Sequence, residues 1–265
     1  GCNGVVDGPS GMASAGQSPV SMAGSSTGGS APVVTPSTAV FAPSAPALPR
    51  LTTAQYHNVI RDLFGPSIQV PELEPDQRPY SFSIIGASTT TVSEHGVDLY
   101  SQAAFGIAKA VFADTTLRQS VVGCSPATPL DDVCLTQFIN QFGLRAWRRP
   151  VTPDELTRYQ ALATTIGRAE PWLALQFVTA AILQSPSFLY RVELGETDAS
   201  KPGWLHYNGY EMASRLSFLL RNSFPDAELF AAASRGELVS KEGVLAQATR
   251  LLNDAGPTEA MRSAL

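Results

Sequence analysis

The chain has 265 residues, of which 15% are charged, and a net charge of -5. That balance argues against a sequence-independent nucleic-acid binder, which needs a basic surface. The longest nearly apolar run, Trp172 to Leu183, is shorter than the ~20 residues a membrane span requires.

The charge is unevenly spread. Residues 1–49 contain 35 Gly, Pro, Ser, Ala or Thr, and Asp7 is their only charged residue. A stretch of that composition cannot bury enough apolar area to offset backbone ordering. It predicts a disordered tether, with a typical reach of about 40 Å as a flexible chain. Gly1-Cys2 opens it. A cysteine behind a small residue is where bacterial lipoproteins are cleaved and acylated, so Cys2 is the expected lipidation site. The plainer alternative is a stray cysteine.

The body from residue 50 reads as helices. Thr52 and Gln55 have capping-box spacing, and Tyr56, Val59, Ile60 and Leu63 follow at three and four residues, up to Gly65-Pro66. Residues 66–90 lack a helical period and predict an irregular loop, packed by Ile68, Val70, Tyr80, Phe82 and Ile84. A long helix is expected from Ser93 to Ala113, with Val97, Tyr100, Ala104, Ile107, Ala108 and Val111 on its apolar face. A short helix near Thr116 to Val121 leads into the turn-rich loop between Cys124 and Cys134. In an exported protein that pair reads as a disulfide. Two free thiols or half a metal site are the alternatives, and a zinc site would need further ligands.

Leu135, Phe138, Ile139, Phe142 and Ala146 mark the next helix, Asp132 to Trp147, stopped by Pro150. Thr152-Pro153-Asp154-Glu155 is a strong start for a helix ending at Ile166-Gly167. Pro171 to Leu183 is apolar nearly all round and belongs at the centre of a core. Phe188 to Leu194 predicts a short extended segment or a turn. Asn208 caps a helix bearing Tyr210, Ala213, Leu216, Leu219 and Leu220, and two shorter helices follow near Pro225 to Ala233 and Lys241 to Leu252. Residues 258–265 read as the start of another helix without a stop, which suggests a fragment of a longer protein. The fold class is mainly α, an irregular body of about eight helices, with no convincing alternating strand.

Motifs for known chemistries are missing from the sequence. No C-x-x-C-H, G-x-x-x-x-G-K-[ST], G-x-S-x-G or H-E-x-x-H occurs. No metal site and no catalytic residue is assigned, and whether the chain is an enzyme stays open. Arg145, Arg148 and Arg149, beside Trp147, could contact an anion or a partner. The competing reading is favourable charge at a helix carboxyl end with stacking on the indole. Glu211 and Arg215 have the spacing and order of a helical ion pair, and Arg191 or Arg215 could clamp Glu193. Asp226 and Glu228 suit the first turn of their helix. His57, His95 and His206 have no visible partner and read as surface or hydrogen-bonded histidines rather than catalytic ones.

Four segments, RLTTAQYHNVIRDLFG, FGLRAWRRPVTPDEL, ILQSPSFLYRVELGE and YEMASRLSFLLRNSFPDAEL, follow one another in this order. Together they resemble the PSD domain series, the modules of a bacterial family of unknown function first recognised in planctomycete proteins associated with cytochrome c domains. The resemblance runs from about Pro49 to the end, with modules at about 50–113, 114–167 and 168–265, the last incomplete. One departure is Arg221, where relatives more often carry an aromatic residue. The resemblance implies an exported, often lipid-anchored protein, periplasmic or on the cell surface. Haem is implied only on further modules or on a cytochrome-type partner, and no cofactor is expected in this chain. Three functions remain open: a membrane-anchored scaffold or binding module of a redox-linked assembly, an extracytoplasmic hydrolase of polymer or glycan completed by further modules, and a structural envelope protein.

Overall fold

A computed structural model describes residues 48–77, 86–88 and 91–254. Cys2, most of the expected tether, the packing residues Tyr80, Phe82 and Ile84, and the helix expected at 258–265 lie outside the described residues.

The described body is mainly α. Its elements in chain order are α1 (Thr53–Phe64), α2 (Glu94–Ala113), α3 (Thr115–Val122), α4 (Asp132–Trp147), α5 (Pro153–Ile166), α6 (Pro171–Gln184), α7 (Pro186–Leu189), β1 (Glu196–Thr197), β2 (Leu205–His206), α8 (Gly209–Arg221), α9 (Ala227–Ser234), a 3-10 turn (Glu237–Val239) and α10 (Lys241–Asn253). Nine of these ten α-helices among the described residues match helices that the sequence predicts one by one. The tenth, α7, is a four-residue helical turn that overlaps the start of the segment predicted as extended or a turn from Phe188. The two strands form a hairpin with Glu196 opposite His206 and Thr197 opposite Leu205. Two-residue strands are too short to show alternation, which is why no strand pattern was visible.

Helix starts follow local chemistry closely. Thr52, Thr152 and Asn208 each accept from the third helical amide, while Gln55, Glu155 and Glu211 reach back to the cap amide. Each reciprocal box satisfies two otherwise orphaned donors. Asp114, Asp131, Ser185, Asp226 and Ser240 act as single caps.

The apolar helix α6 lies at the centre, packed along α2 and against α4 and α5. Ala174, Leu175, Val178, Ala180, Ile182 and Leu183 are fully buried there. On α2 the buried stripe is Tyr100, Ala103, Ala104, Ile107, Ala108 and Val111. Val97, expected on this stripe, is 58% exposed. Residues of α1 to α7 form one core. A second, smaller core joins α8, α9, α10 and the 3-10 turn through Ala213, Leu216, Leu220, Leu229, Leu238 and Leu251. Leu219, expected with these, is 60% exposed. Phe218 of α8 belongs to the first core and Phe224 packs against it, so α8 serves both.

Cys124 and Cys134 form a disulfide that closes the loop between α3 and α4 (S–S 2.05 Å, Cα–Cα 5.8 Å). Arg50 and Tyr190 make an isolated antiparallel bridge. Leu51 donates its amide to the Leu189 carbonyl and Arg191 to that of Pro49, which ties the entry of α1 to the exit of α7.

Candidate functional site: an arginine-lined seam

The carboxyl end of α4 carries three arginines that point three ways. Arg148 is the C-cap, with left-handed backbone (φ 62°). That turn drives its side chain inward, where the residue is only 3% exposed. Its Nη1 donates to the Ala146 carbonyl at 2.9 Å, and its Nη2 to those of Ser187 (2.7 Å), Phe188 (3.2 Å) and Tyr190 (2.7 Å). These acceptors are end-of-helix carbonyls of α4 and α7 and the residue just beyond, groups that lack intrahelical partners. A guanidinium there also opposes the negative helix ends. Burial, and then the neighbouring guanidiniums of Arg191 and Arg149, lower the Arg148 pKa.

Arg149 turns the other way. It makes a two-pronged ion pair with Glu155 (3.0 and 2.8 Å), donates to Ser187 Oγ at 3.1 Å, and lies over the Trp147 ring. The hydrogen bond from Arg149 is the main reason the Glu155 carboxyl is held down at about 2. Arg145 donates to the Asp62 carbonyl at 3.1 Å and covers the Phe224 ring. Arg145, Arg148 and Arg149 are therefore not gathered around one ligand position. Each is held by a different part of the fold.

The second group of charges meets this one at α8. Arg148 and Arg191 both lie over the ring of Phe218, 5.7 and 5.6 Å from its centroid. Arg215 lies over Tyr207, donates to its hydroxyl at 3.0 Å, and pairs with Glu193 at 2.5 Å. The expected helical pair of Glu211 with Arg215 does not form. The Glu211 carboxylate instead accepts the amides of Leu194 (2.7 Å), Gly195 (3.0 Å) and Asn208 (3.0 Å). Glu193 is clamped by Arg215. Among the described residues Arg191 makes no ion pair, and its Nε is buried without a hydrogen-bond partner. Burial lowers its pKa, an effect that Glu193 offsets and Arg215 reinforces.

Two further clusters were not foreseen. Buried Arg50 reaches the Tyr100 hydroxyl and the Asp76 carboxylate, and Asp76 in turn accepts the Thr53 amide at the start of α1. Asp226 caps α9 and is held by both Arg221 (2.8 Å) and Arg250 (3.0 Å). Glu228 pairs instead with Arg235. Arg221 is thus accommodated as a surface ion-pair residue. His57, His95 and His206 are all exposed. Among the described residues no group of three or more His, Cys, Asp or Glu side chains could hold a metal, and no helix is long and apolar enough to cross a membrane.

The seam joins segments that also match known family models. Residues 50–113, 134–193 and 207–264 match three models, PSD3, PSD5 and PSD4, each described as a protein of unknown function (DUF1587, DUF1595 and DUF1592). The chain belongs to a family of unknown function. No curated protein and no solved structure matches it. The arginines divide among the family's modules in a definite way. Arg145, Arg148, Arg149 and Arg191 lie in the PSD5 match, whereas Arg215 and Phe218 lie in the PSD4 match. The cluster around Phe218 is therefore a junction between two modules.

Proposed function

We propose that the chain is an extracytoplasmic, lipid-anchored helical scaffold that serves as a binding module in a redox-linked assembly with a cytochrome-type partner. The observation that carries the compartment is the Cys124–Cys134 disulfide, since such bonds persist in oxidising surroundings. A scaffold role fits the use of charge in the seam. Arg145, Arg148 and Arg149 are engaged in holding carbonyls, rings and one carboxylate of the fold itself. Leu205 of the hairpin and Leu194 just before it, at 60% and 69% exposure, offer a partner an apolar surface.

Two measurements in the native host test the reading. Thiol trapping in intact cells is expected to leave Cys124 and Cys134 protected until reductant is added, and Cys2→Ser is expected to move the protein out of the membrane fraction. Freely alkylated thiols, or unchanged fractionation of Cys2→Ser, would overturn the anchored, exported reading. For the partner, a photo-crosslinker placed at Leu205 should give an adduct that stains for haem, and adducts that never carry haem would refute the redox link.

A further inference from the structure

The seam holds more positive charge than it pairs. Arg215 and Glu193 offset each other at 2.5 Å. Arg148 directs its donors to four backbone carbonyls, which satisfy its hydrogen bonds but leave its charge in place. Arg191 has neither a carboxylate nor a carbonyl. Its Nε is buried with no acceptor, and its one specific contact is the Phe218 ring. The acid that acts on it most, Glu193, is already engaged by Arg215. Among the described residues no carboxylate forms an ion pair with this guanidinium, although the chain has 23 acidic residues against 18 basic ones. A partly buried guanidinium N–H without an acceptor is costly, and a second cation beside it raises the cost.

We propose that Arg191 is the anchor of an oxyanion-binding site at the junction of the PSD5 and PSD4 modules. The ligand brings a carboxylate or phosphate group. Arg191 supplies a planar fork of donors suited to two oxygens of such a group. Phe218 supports the guanidinium, while Arg148, whose charge no carboxylate offsets, adds positive field. This site is independent of the compartment and partner proposed above, since the purified chain alone suffices to test it.

The test is calorimetric titration of the 265-residue chain with inorganic phosphate and, separately, with succinate, at constant ionic strength. Saturable binding of at least one is expected, and which one binds tells a phosphate from a carboxylate ligand. Arg191→Gln is expected to weaken that binding by at least about tenfold, the scale of one charge-assisted contact. Arg221→Gln, which removes a surface cation of α8 that is engaged by Asp226, is expected to leave it unchanged. Should Arg191→Gln not fold, Arg191→Lys keeps the charge and loses the fork, and is expected to bind several-fold more weakly. Absence of saturable binding of both anions would overturn the site. So would an Arg191→Gln or Arg191→Lys titration that matches the unaltered chain, or an equal loss in Arg221→Gln.

Discussion

Replacing Arg148 with Met probes the joint between α4 and α7 most directly. Methionine keeps the length and apolar stem of the side chain but removes the guanidinium. The carbonyls of Ser187, Phe188 and Tyr190 then lose the donor that reaches them from α4. A buried acceptor left unpaired costs about 1–3 kcal/mol, but three neighbours served by one Nη2 do not add in full. Loss of repulsion from Arg191 and Arg149 works in the opposite direction. The balance is a destabilisation of about 3–4 kcal/mol, at the lower end of the range for breaking a buried charged group's contacts. At about 2–4 °C per kcal/mol for a chain of this size, the melting temperature should fall by roughly 6–16 °C. Calorimetry or urea unfolding followed by circular dichroism measures it. Arg148→Gly removes the same bonds but relieves the left-handed backbone at φ 62° by about 1 kcal/mol, so it should be slightly less destabilised than Arg148→Ala. A loss under about 1 kcal/mol for Arg148→Met would refute the claim that this guanidinium ties the two helix ends together.

Three other perturbations have defined outcomes. The disulfide closes a loop with a sequence separation of 10, so Cys124→Ser with Cys134→Ser should lower stability by about 2–3 kcal/mol in the chain-entropy model, read as a shift in the urea midpoint. Glu155 is held at about 2 in the folded chain against an ordinary 4.5. A depressed carboxyl contributes stability that is complete above about 4.5 and is lost as pH falls toward about 2. The urea midpoint should therefore fall across that window, and Glu155→Gln should show a shallower decline. At Gly209 a Cβ would stand 2.8 Å from the carbonyl oxygen and 3.2 Å from the Cα of Ala233. Both are backbone atoms that cannot swing aside, so Gly209→Ala should force α8 and α9 apart at a cost of about 1–3 kcal/mol. Hydrogen exchange should then accelerate in α8 to α10 but not in α6.

The helices were legible because their signals are local. The Thr52–Gln55 and Thr152–Glu155 boxes, Gly65 and Gly167 at helix ends, and the all-round apolar Pro171–Leu183 segment each lie within a few residues of one another. The site was much less legible, because its partners are distant in sequence. Arg148 meets carbonyls 39 to 42 residues away, and backbone carbonyls leave no mark in a sequence. The spacing of Glu211 and Arg215 was misleading for a different reason. An ion pair at four residues requires a carboxylate that is still available, and Glu211 had already been taken by three amides. The Asn-x-x-Glu spacing of Asn208 and Glu211 is itself a capping-box signal, and weighing it against the helical pair would have found this. Arg50, Asp76 and Tyr100 carry no such signal, since Arg50 precedes α1, Asp76 lies in the loop after it and Tyr100 is on α2, 26 and 50 residues from Arg50.

The arginine contacts also account for how the second helical group, with its own core, can be held to the first. The second core around Leu216 and Leu229 has no large apolar face on the first; Phe218 and Phe224 are the aromatic side chains of this region packed there. Two rings alone form a small apolar contact. Arg145 covers Phe224, and Arg148 and Arg191 cover Phe218, so each ring is held between apolar neighbours and a cation. Asn58 adds a hydrogen bond from α1 to the Asn222 carbonyl at 3.1 Å. Such cation–ring contacts are worth about 0.5–2 kcal/mol each, most where desolvated, and they do not require the two cores to merge. A junction of this kind responds to charge. Placing an anion on Arg191 would offset repulsion between Arg191 and Arg148 and strengthen the grip on Phe218. The proposed ligand would therefore stabilise the union of the PSD5 and PSD4 modules as well as bind to it, and phosphate or succinate should slow hydrogen exchange in α8 ahead of any change in α6.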